Sequence, residues 1–249
     1  LRHLDACGVA VNVPIASDSG KDVEELDGAC ACVLSWAPGQ RVAPGSPHWG
    51  EAFMHAWGEH LGRLHQAARA YRGPARWAWH EDVFLREGGA LIPDAAARER
   101  FGAVMDTVAG LPKTSDNYGM VHQDLGPQNF HYAPELGVTS FDFGNACRHW
   151  FAADLAISLS TLARLPEREA LARWLLDGYR TVAPTDDATW QRLPLFVALR
   201  AHYVYLSRLL YFGQFPAKGD PGVLDHLRQR ALDADGAAWV DGLLAAEAR

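Results

Sequence analysis

Lysine is scarce in this chain of 249 residues: only three of its 23 Lys and Arg residues are lysines, while Asp and Glu number 30. The formal net charge is therefore −7. Surfaces that bind nucleic acid are rich in Lys and Arg, because these side chains neutralise phosphates. We accordingly expect no nucleic-acid partner.

Long apolar runs are also absent. No stretch approaches the roughly 18 apolar residues that a membrane-spanning helix needs, and no secretory signal pattern is visible. Hydrophobic residues make up 49% of the chain and charged residues 21%, which is ordinary for a globular protein. We expect a cytoplasmic protein without a membrane partner.

Cysteine is sparse, with four residues that show no metal-ligand spacing: Cys7, Cys30, Cys32 and Cys147. Cys30 and Cys32 are two positions apart in an apolar run, so they are expected on one face of a strand. We interpret the cysteines as small buried thiols in a reducing compartment.

Strand signals dominate the first 35 residues. A short helical stretch ends at Gly8, and two strands are predicted at 23–26 and 29–35, with Asp27-Gly28 between them as a hairpin signal. The sequence Trp-Ala-Pro-Gly at 36–39 ends the second strand, because proline and glycine interrupt regular structure.

The remainder is largely helical by its apolar spacing. Ser46-Pro47 resembles an N-cap followed by proline at the first helical position, and Asp94 is predicted to cap a helix that ends near Val108. The predicted helices cover residues 51–71, 94–108, 149–164, 166–182, 187–213 and 222–247, the last with a break near Gly236. The fold class is therefore α+β.

One stretch, residues 121–144, carries most of the chemical information. It contains the spacings His-x-Asp-x-x-x-x-Asn and Asp-Phe-Gly, which are typical of phosphoryl transfer from a magnesium nucleotide. The residues that fill these spacings are His122, Asp124, Asn129, Asp142, Phe143 and Gly144.

The chemistry of the reaction explains these residue types. Mg²⁺ prefers oxygen ligands, so Asp142 is predicted to be the charged metal ligand and Asn129 a neutral one. Asp124 is predicted to accept the proton of the attacking hydroxyl, or to orient that hydroxyl.

The predicted strands bring these residues together. We expect strands at 118–121, 130–132 and 138–142, with a turn at 133–137 that contains proline and glycine. A hairpin folded about Glu135 and Leu136 would place Asn129 directly opposite Asp142, with Cβ atoms about 5 Å apart.

On these residues, the chain resembles the aminoglycoside phosphotransferase and choline-kinase-like family. The resemblance implies a protein-kinase-like, two-lobed fold with a truncated β-rich N-lobe and a large helical C-lobe. Residues 1–35 would be the remnant of the N-lobe, 36–45 the connector, and 46–249 the C-lobe with a catalytic hairpin at 118–142. Trp150-Phe151 and the run that begins at Asp154 resemble the branch of homoserine- and hydroxylysine-kinase-like enzymes.

The resemblance also implies roles for individual residues. Asp124 matches the catalytic aspartate, and Asn129 and Asp142 match the ligands of Mg²⁺. Supporting roles follow in the same way: His122 and Asp154 would brace the catalytic loop, and the backbone of Ser35, Trp36 and Ala37 would recognise the adenine of ATP.

Several positions depart from the family pattern. Gln123 replaces a glycine, Gly126 and Gln128 replace a common histidine and glycine, and Gly144 replaces a second aspartate. A glycine-rich phosphate loop and a strand lysine are missing before Leu1, and Lys21, which lies in a turn, is a poor substitute. We therefore expect this sequence to be a fragment that is preceded by those elements.

The leading hypothesis is an ATP- and Mg²⁺-dependent kinase that acts on a hydroxyl of a small, amine-bearing metabolite or antibiotic. The alternatives are a nucleotide-binding pseudokinase, inactive because the phosphate loop and lysine are missing, and a structural module built from helices. Candidate substrate contacts on the long helix are Arg200, His202, Tyr203 and Tyr205.

Overall fold

The computed structural model describes residues 1–183, 187–233 and 237–247. The chain divides into two compact units. The first contains Leu1–Gly73, Asp124–Asn145 and Ala170–Pro184, and the second contains Pro74–Gln123, Ala146–Glu169 and Thr185–Arg249. The predicted break near Gly236 lies outside the described residues.

The helices of the described residues are numbered in chain order. They are α1 Arg2–Ala6, α2 Glu51–Ala70, α3 Val83–Leu91, α4 Ala95–Ala109, α5 Phe151–Leu162, α6 Arg168–Val182, α7 Asp187–Gln191, α8 Leu193–Gln214, α9 Pro221–Leu232 and α10 Ala238–Glu247. None of them is long and apolar enough to cross a membrane.

The strands are short and pair as antiparallel ribbons. They are β1 Pro14–Ile15, β2 Glu24–Leu26, β3 Ala29–Ala31, β4 Val33–Leu34, β5 Tyr118–Val121, β6 Phe130–Ala133, β7 Gly137–Ser140 and β8 Cys147–Trp150. Strand β1 pairs with β4, β2 with β3, β5 with β8, and β6 with β7.

The first unit is organised around the hairpin of β6 and β7. Residues 10–12 run beside β7, with hydrogen bonds from the Ser140 N–H to the Ala10 carbonyl and from the Asn12 N–H to the Ser140 carbonyl. Helix α2 covers the hairpin, and the rings of Phe53 and Trp57 lie 5.8 and 5.1 Å from that of Phe130. This packing fixes the hairpin on an apolar support.

Helices α2 and α6 approach so closely that glycine is required at the crossing. A Cβ atom at Gly58 would lie 1.8 Å from the Leu175 carbonyl oxygen, and one at Gly178 would lie 2.1 Å from the His55 carbonyl oxygen. Both obstacles are backbone atoms, so a side chain at either position would force the helices apart.

The second unit is built around α8. Helices α3, α4, α5 and α9 pack on it, and its buried residues include Phe196, Tyr205 and Leu206. The β5–β8 ribbon packs against α5. The aromatic residues of α8 therefore belong to the core of this unit.

The structure confirms most of the predicted elements, including α2, the Asp94-capped α4 and the hairpin at Asp27-Gly28. The N-cap predicted at Ser46-Pro47 is wrong, because α2 begins at Glu51 after Gly50. The division at residues 35 and 45 stays a prediction.

Two further expectations are wrong. The helix predicted at 149–164 begins two residues too early, because residues 149 and 150 belong to strand β8. The pairing of β8 with β5 provides hydrogen-bond partners for their backbone groups. Of the cysteines, only Cys147 is buried, whereas Cys7, Cys30 and Cys32 are exposed.

The α2–α6 crossing generates a stability prediction. Gly58→Ala should lower the free energy of unfolding by about 2–3 kcal/mol, because the new methyl group overlaps a backbone carbonyl. Gly102→Ala in α4 is the matched control, since a Cβ atom there meets nothing within 4 Å. The control should be stabilised by about 0.5–1 kcal/mol. Urea denaturation measures both, and equal stability of the two variants would contradict the account.

Candidate functional site

A buried carboxylate holds the loop that carries Asp124. Asp154, in the first turn of α5, is 0% exposed. Its two oxygens accept hydrogen bonds from the backbone N–H groups of His122, at 2.9 Å, and Gln123, at 2.8 Å. Such charge-assisted bonds are stronger than neutral ones, so the backbone just before Asp124 is held in one conformation.

Asp124 and Asn129 lie together on the loop that follows. The Asn129 side-chain Nδ2 donates to the backbone carbonyl of Asp124 at 2.8 Å and to its carboxylate Oδ2 at 3.2 Å. The amide nitrogen is thus committed to Asp124, and the carbonyl oxygen Oδ1 is the atom left to bind a cation. Asn129 is buried and Asp124 is half-buried.

The predicted register of the hairpin is wrong by one residue. Phe130 pairs with Ser140 and Ala133 with Gly137, and the Phe141 N–H donates to the Asn129 carbonyl at 3.0 Å. Asn129 therefore lies opposite Phe141 and not opposite Asp142. The turn contains the odd number of three residues, 134–136, whereas the prediction assumed two.

Asp142 lies just beyond the end of β7, where the strand alternation no longer sets its direction. Its φ is +62°, a left-handed value that is uncommon for residues other than glycine, and its side chain is exposed. A Cβ atom at Gly144 would lie 3.3 Å from the Asp142 carboxylate oxygen. Glycine at this position therefore leaves room for the carboxylate.

No group of three or more His, Cys, Asp or Glu side chains suited to a metal ion occurs in the described part of the chain. The predicted metal ligands, Asn129 and Asp142, are one amide and one carboxylate. Mg²⁺ sites that are completed by substrate phosphates and water use such a small set of protein oxygens.

The residues predicted to contact adenine are partly engaged within the first unit. The Ser35 N–H donates to the Val13 carbonyl at 2.8 Å, and the Ala37 carbonyl accepts from the His131 ring at 2.8 Å. Within residues 1–183, the Ser35 carbonyl, the Ala37 N–H and both backbone groups of Trp36 have no such partner. The Trp36 side chain is 83% exposed.

His131 is a residue of this region that the sequence reasoning missed. Besides its bond to Ala37, its ring lies 5.7 Å from that of Trp36 and 5.0 Å from that of Phe141. It therefore links the connector to the residue that precedes Asp142. The sequence does contain a hint of this role. His131 is two residues after Asn129, and side chains two positions apart in a strand lie on the same face.

The second unit contains a small, partly open cavity beside Gln123, of about 10 Å³, which is room for roughly one water molecule. Its walls are mostly apolar, and its polar lining comes from Gln123, His149, Arg200 and Tyr203. Two of the predicted substrate contacts, Arg200 and Tyr203, thus line this cavity. The other two, His202 and Tyr205, do not. His202 lies instead against Phe101, with ring centroids 5.8 Å apart.

Burial controls the charge state of groups in and behind this cavity. It lowers the pKa of His149 to about 3, and the His149 Nδ1 accepts the Trp150 N–H at 2.9 Å, so the neutral ring carries its proton on Nε2. Behind Tyr203, whose hydroxyl donates to Asp82 at 3.3 Å, burial raises the pKa of the Asp82 carboxyl.

A profile described as "Phosphotransferase enzyme family" matches residues 1–196 of this sequence. This chain belongs to the phosphotransferase enzyme family. The match includes the whole of the stretch from His122 to Gly144.

Curated relatives agree with this assignment. The chain is 30% identical to the amicoumacin kinase of Bacillus subtilis, over 82% of this chain and 66% of that protein. It is also 30% identical to the homoserine kinase of Methylobacterium radiotolerans, over 90% of this chain and 70% of that protein. The chain spans about two thirds of the length of these relatives.

Solved structures confirm the fold. An amicoumacin kinase in complex with AMP-PNP, Ca²⁺ and Ami superimposes with a TM-score of 0.81 at 28% identity, over 93% of this chain and 75% of that chain. An aminoglycoside phosphotransferase from Alicyclobacillus acidocaldarius gives 0.67 at 19% identity, over 98% and 80%. The expected α+β, protein-kinase-like class is therefore correct.

The backbone conformation at position 123 favours glycine, the residue that the family resemblance implies there. Gln123 has a φ of +67°, a left-handed conformation that costs a residue with a side chain about 1–2 kcal/mol. The side-chain oxygen Oε1 is also buried without a hydrogen-bond partner among the described residues, which costs about 1–3 kcal/mol more.

At positions 126 and 128 the chain departs from the expected pattern in the size of two side chains. A Cβ atom at Gly126 would lie 2.6 Å from the side-chain amide of Gln128. The Gln128 side chain thus lies over Gly126, in space that a larger residue at position 126 would need.

The low pKa of His149 generates a prediction about pH. Because the folded pKa is about 3 and the unfolded value is about 6.5, the unfolded state binds an extra proton between these values. Stability is therefore complete above about pH 6.5 and falls as the pH is lowered toward 3, with a loss of about 2 kcal/mol at pH 5 from this group.

His149→Gln should remove that share of the pH dependence, as measured by urea denaturation at pH 7, 6 and 5. His80→Gln, which alters an exposed histidine, is the matched control and should keep the wild-type slope. The same slope in His149→Gln would contradict the assignment.

Proposed function

We propose that this protein is an ATP- and Mg²⁺-dependent phosphotransferase that moves the γ-phosphoryl group to a hydroxyl of a small, amine-bearing metabolite or antibiotic. The observation that carries the proposal is the contact of Asn129 with Asp124, at 3.2 Å between Nδ2 and Oδ2. It joins the proposed base to a proposed metal ligand on one loop, and Asp154 is proposed to support that loop from behind.

The donor set suits the proposed metal. Asn129 turns its amide nitrogen toward Asp124, and its carbonyl oxygen and the exposed Asp142 carboxylate are hard oxygen donors that Mg²⁺ prefers. When bound, the ion would neutralise charge on the transferred phosphoryl group. Asn129 and Asp142 would hold it.

Asp124 would act on the acceptor. As the acceptor oxygen forms its bond to the γ-phosphorus, the bond from that phosphorus to the bridging oxygen of ATP breaks, and the hydroxyl proton passes to the Asp124 carboxylate. Asn129 would keep this carboxylate in place, because a positioned base is more effective than a mobile one. His122 would brace the same loop through its backbone.

Adenine would bind beside the connector. The Ser35 carbonyl and the Ala37 N–H are proposed to form its hydrogen bonds, and the rings of Trp36, His131 and Phe141 offer an aromatic surface for the flat base. A protein that consumes ATP is expected in the cytoplasm, where ATP is abundant.

The pseudokinase alternative is favoured by one observation. The described residues of the first unit contain one lysine, Lys21. It forms an ion pair of 3.7 Å with Glu24 on the surface. In this alternative the chain binds a nucleotide but transfers no phosphoryl group.

The decisive experiment is phosphoryl transfer by the wild type and by Asp124→Asn. The panel of acceptors comprises amicoumacin, homoserine, amino alcohols and aminoglycosides, with release of ADP as the readout. The wild type should turn over at least one acceptor, and Asp124→Asn should be slower by at least about 100-fold, since the base is removed. Both should still be stabilised thermally by Mg-AMP-PNP.

Glu135→Gln is the matched control, because it removes an exposed carboxylate from the turn of the same hairpin and should retain full activity. Full activity in Asp124→Asn would refute the assignment of the base. Stabilisation by Mg-AMP-PNP without turnover of any acceptor would favour the pseudokinase.

A further inference from the structure

Two arginine side chains of the second unit lie close enough for their charges to repel. Arg164 follows the end of α5, and Arg230 lies half-buried in the last turn of α9. Burial and the neighbouring charge of Arg164 both lower the pKa of Arg230. The axis of α5 rises about 12 Å between Asp154 and Leu162, so the two arginines lie at the other end of this helix from the loop that Asp154 holds.

Neither guanidinium group is paired with a carboxylate. In the described part of the chain, no ion pair joins Arg164 or Arg230 to an acidic side chain. Arg228 of the same helix differs, because it pairs with Asp94. A charged group that loses hydration without gaining a partner is unfavourable. The fold therefore brings two cations together without compensating for their charge.

Helix capping does not account for the pair. A cation near the C-terminus of a helix often binds the last carbonyls. At the end of α5, however, the Ala163 carbonyl accepts from Arg168 at 3.2 Å. Arg164 instead donates to the ring of His226, and no bond from Arg230 to a carbonyl of the described residues exists. The guanidinium of Arg230 is thus available to a bound molecule.

Arg230 lines an open depression of about 360 Å³ on the surface of the second unit. A single water needs only about 10–15 Å³ of such space, so the depression has room for a phosphate group. Its lining comprises His226, Gln229, Arg230, Leu232 and Asp233.

The polar groups of this lining are mostly hydrogen-bond donors. Because an arginine can only donate, the Nε2 atom of His226 is the acceptor of its bond with Arg164, and the ring carries its proton on Nδ1. Gln229 adds two amide N–H groups. Asp233 is the acidic residue of the lining, but it forms no ion pair with Arg230.

We propose that Arg164, His226 and Arg230 form a binding site for a small anion that carries a phosphate group. Guanidinium groups match the geometry of phosphate oxygens and form strong, charge-assisted hydrogen bonds with them. The anion would supply the negative charge that the two arginines lack. Inorganic phosphate and phosphate monoesters share this chemistry. The inference does not rest on the proposed function, because none of the three residues takes part in it.

Calorimetric titration with inorganic phosphate tests the site, in a buffer without Mg²⁺ whose ionic strength is kept constant with chloride. The wild type should bind phosphate. Arg164→Met and Arg230→Met should each weaken binding by at least about tenfold, because charge-assisted hydrogen bonds are lost. Arg98→Met is the matched control, since it removes an exposed arginine of α4, and it should bind as the wild type does.

Methyl phosphate is the second probe, and it distinguishes the two sources of the phosphate group. Binding at least as tight as that of inorganic phosphate would identify a monoester as the ligand class. Much weaker binding of methyl phosphate would identify the free ion.

Thermal unfolding without phosphate is a second readout. Methionine keeps an unbranched apolar side chain and removes the charge, so Arg230→Met should be at least as stable as the wild type, because the burial cost and the repulsion disappear. Added phosphate should raise the unfolding midpoint of the wild type and of Arg98→Met more than chloride does at equal ionic strength. It should not do so for the two site variants.

Three results would overturn the inference. The first is a wild type that binds no phosphate, or whose response chloride reproduces at equal ionic strength. The second is unchanged binding in Arg164→Met and Arg230→Met, which would place the phosphate elsewhere. The third is a midpoint of Arg230→Met well below that of the wild type, which would show that the fold itself needs the guanidinium group. Failure of the phosphoryl-transfer assay would not bear on this site, because the titration needs no nucleotide.

Discussion

The candidate site depends on one buried ion, the carboxylate of Asp154. It is fully buried, and its oxygens accept two backbone N–H groups, from His122 and Gln123. An isolated carboxylate would be very costly in such a place, but hydrogen bonds to both oxygens offset that cost. The bonds are directional, so they also fix the backbone from which Asp124 extends.

The loop beyond this anchor needs few further constraints. Asn129 bonds to both the backbone and the side chain of Asp124, and the hairpin that follows is held by α2 through Phe130. Phosphoryl transfer requires mainly positioned oxygens and cations, so a short loop and a hairpin provide what the chemistry needs.

The sequence predicted this site in part, and the reasons are physical. The spacing of Asp124, Asn129 and Asp142 reflects chemistry, so it is readable without coordinates. The register of the hairpin was wrong because it depends on a three-residue turn, and β8 was missed because its pairing with β5 is a long-range contact. The place of His131 likewise depends on tertiary packing against Trp36. Local patterns carry none of that information.

Hydrogen exchange of the loop amides tests the central claim most directly. In the wild type the N–H groups of His122 and Gln123 should exchange slowly. In Asp154→Asn they should exchange at least about tenfold faster, because asparagine offers one neutral acceptor oxygen where aspartate offers two charged ones. Amides of α8 should keep their protection. Ser158→Ala, one turn further along α5, should leave both amides protected. Unchanged protection in Asp154→Asn would contradict the account.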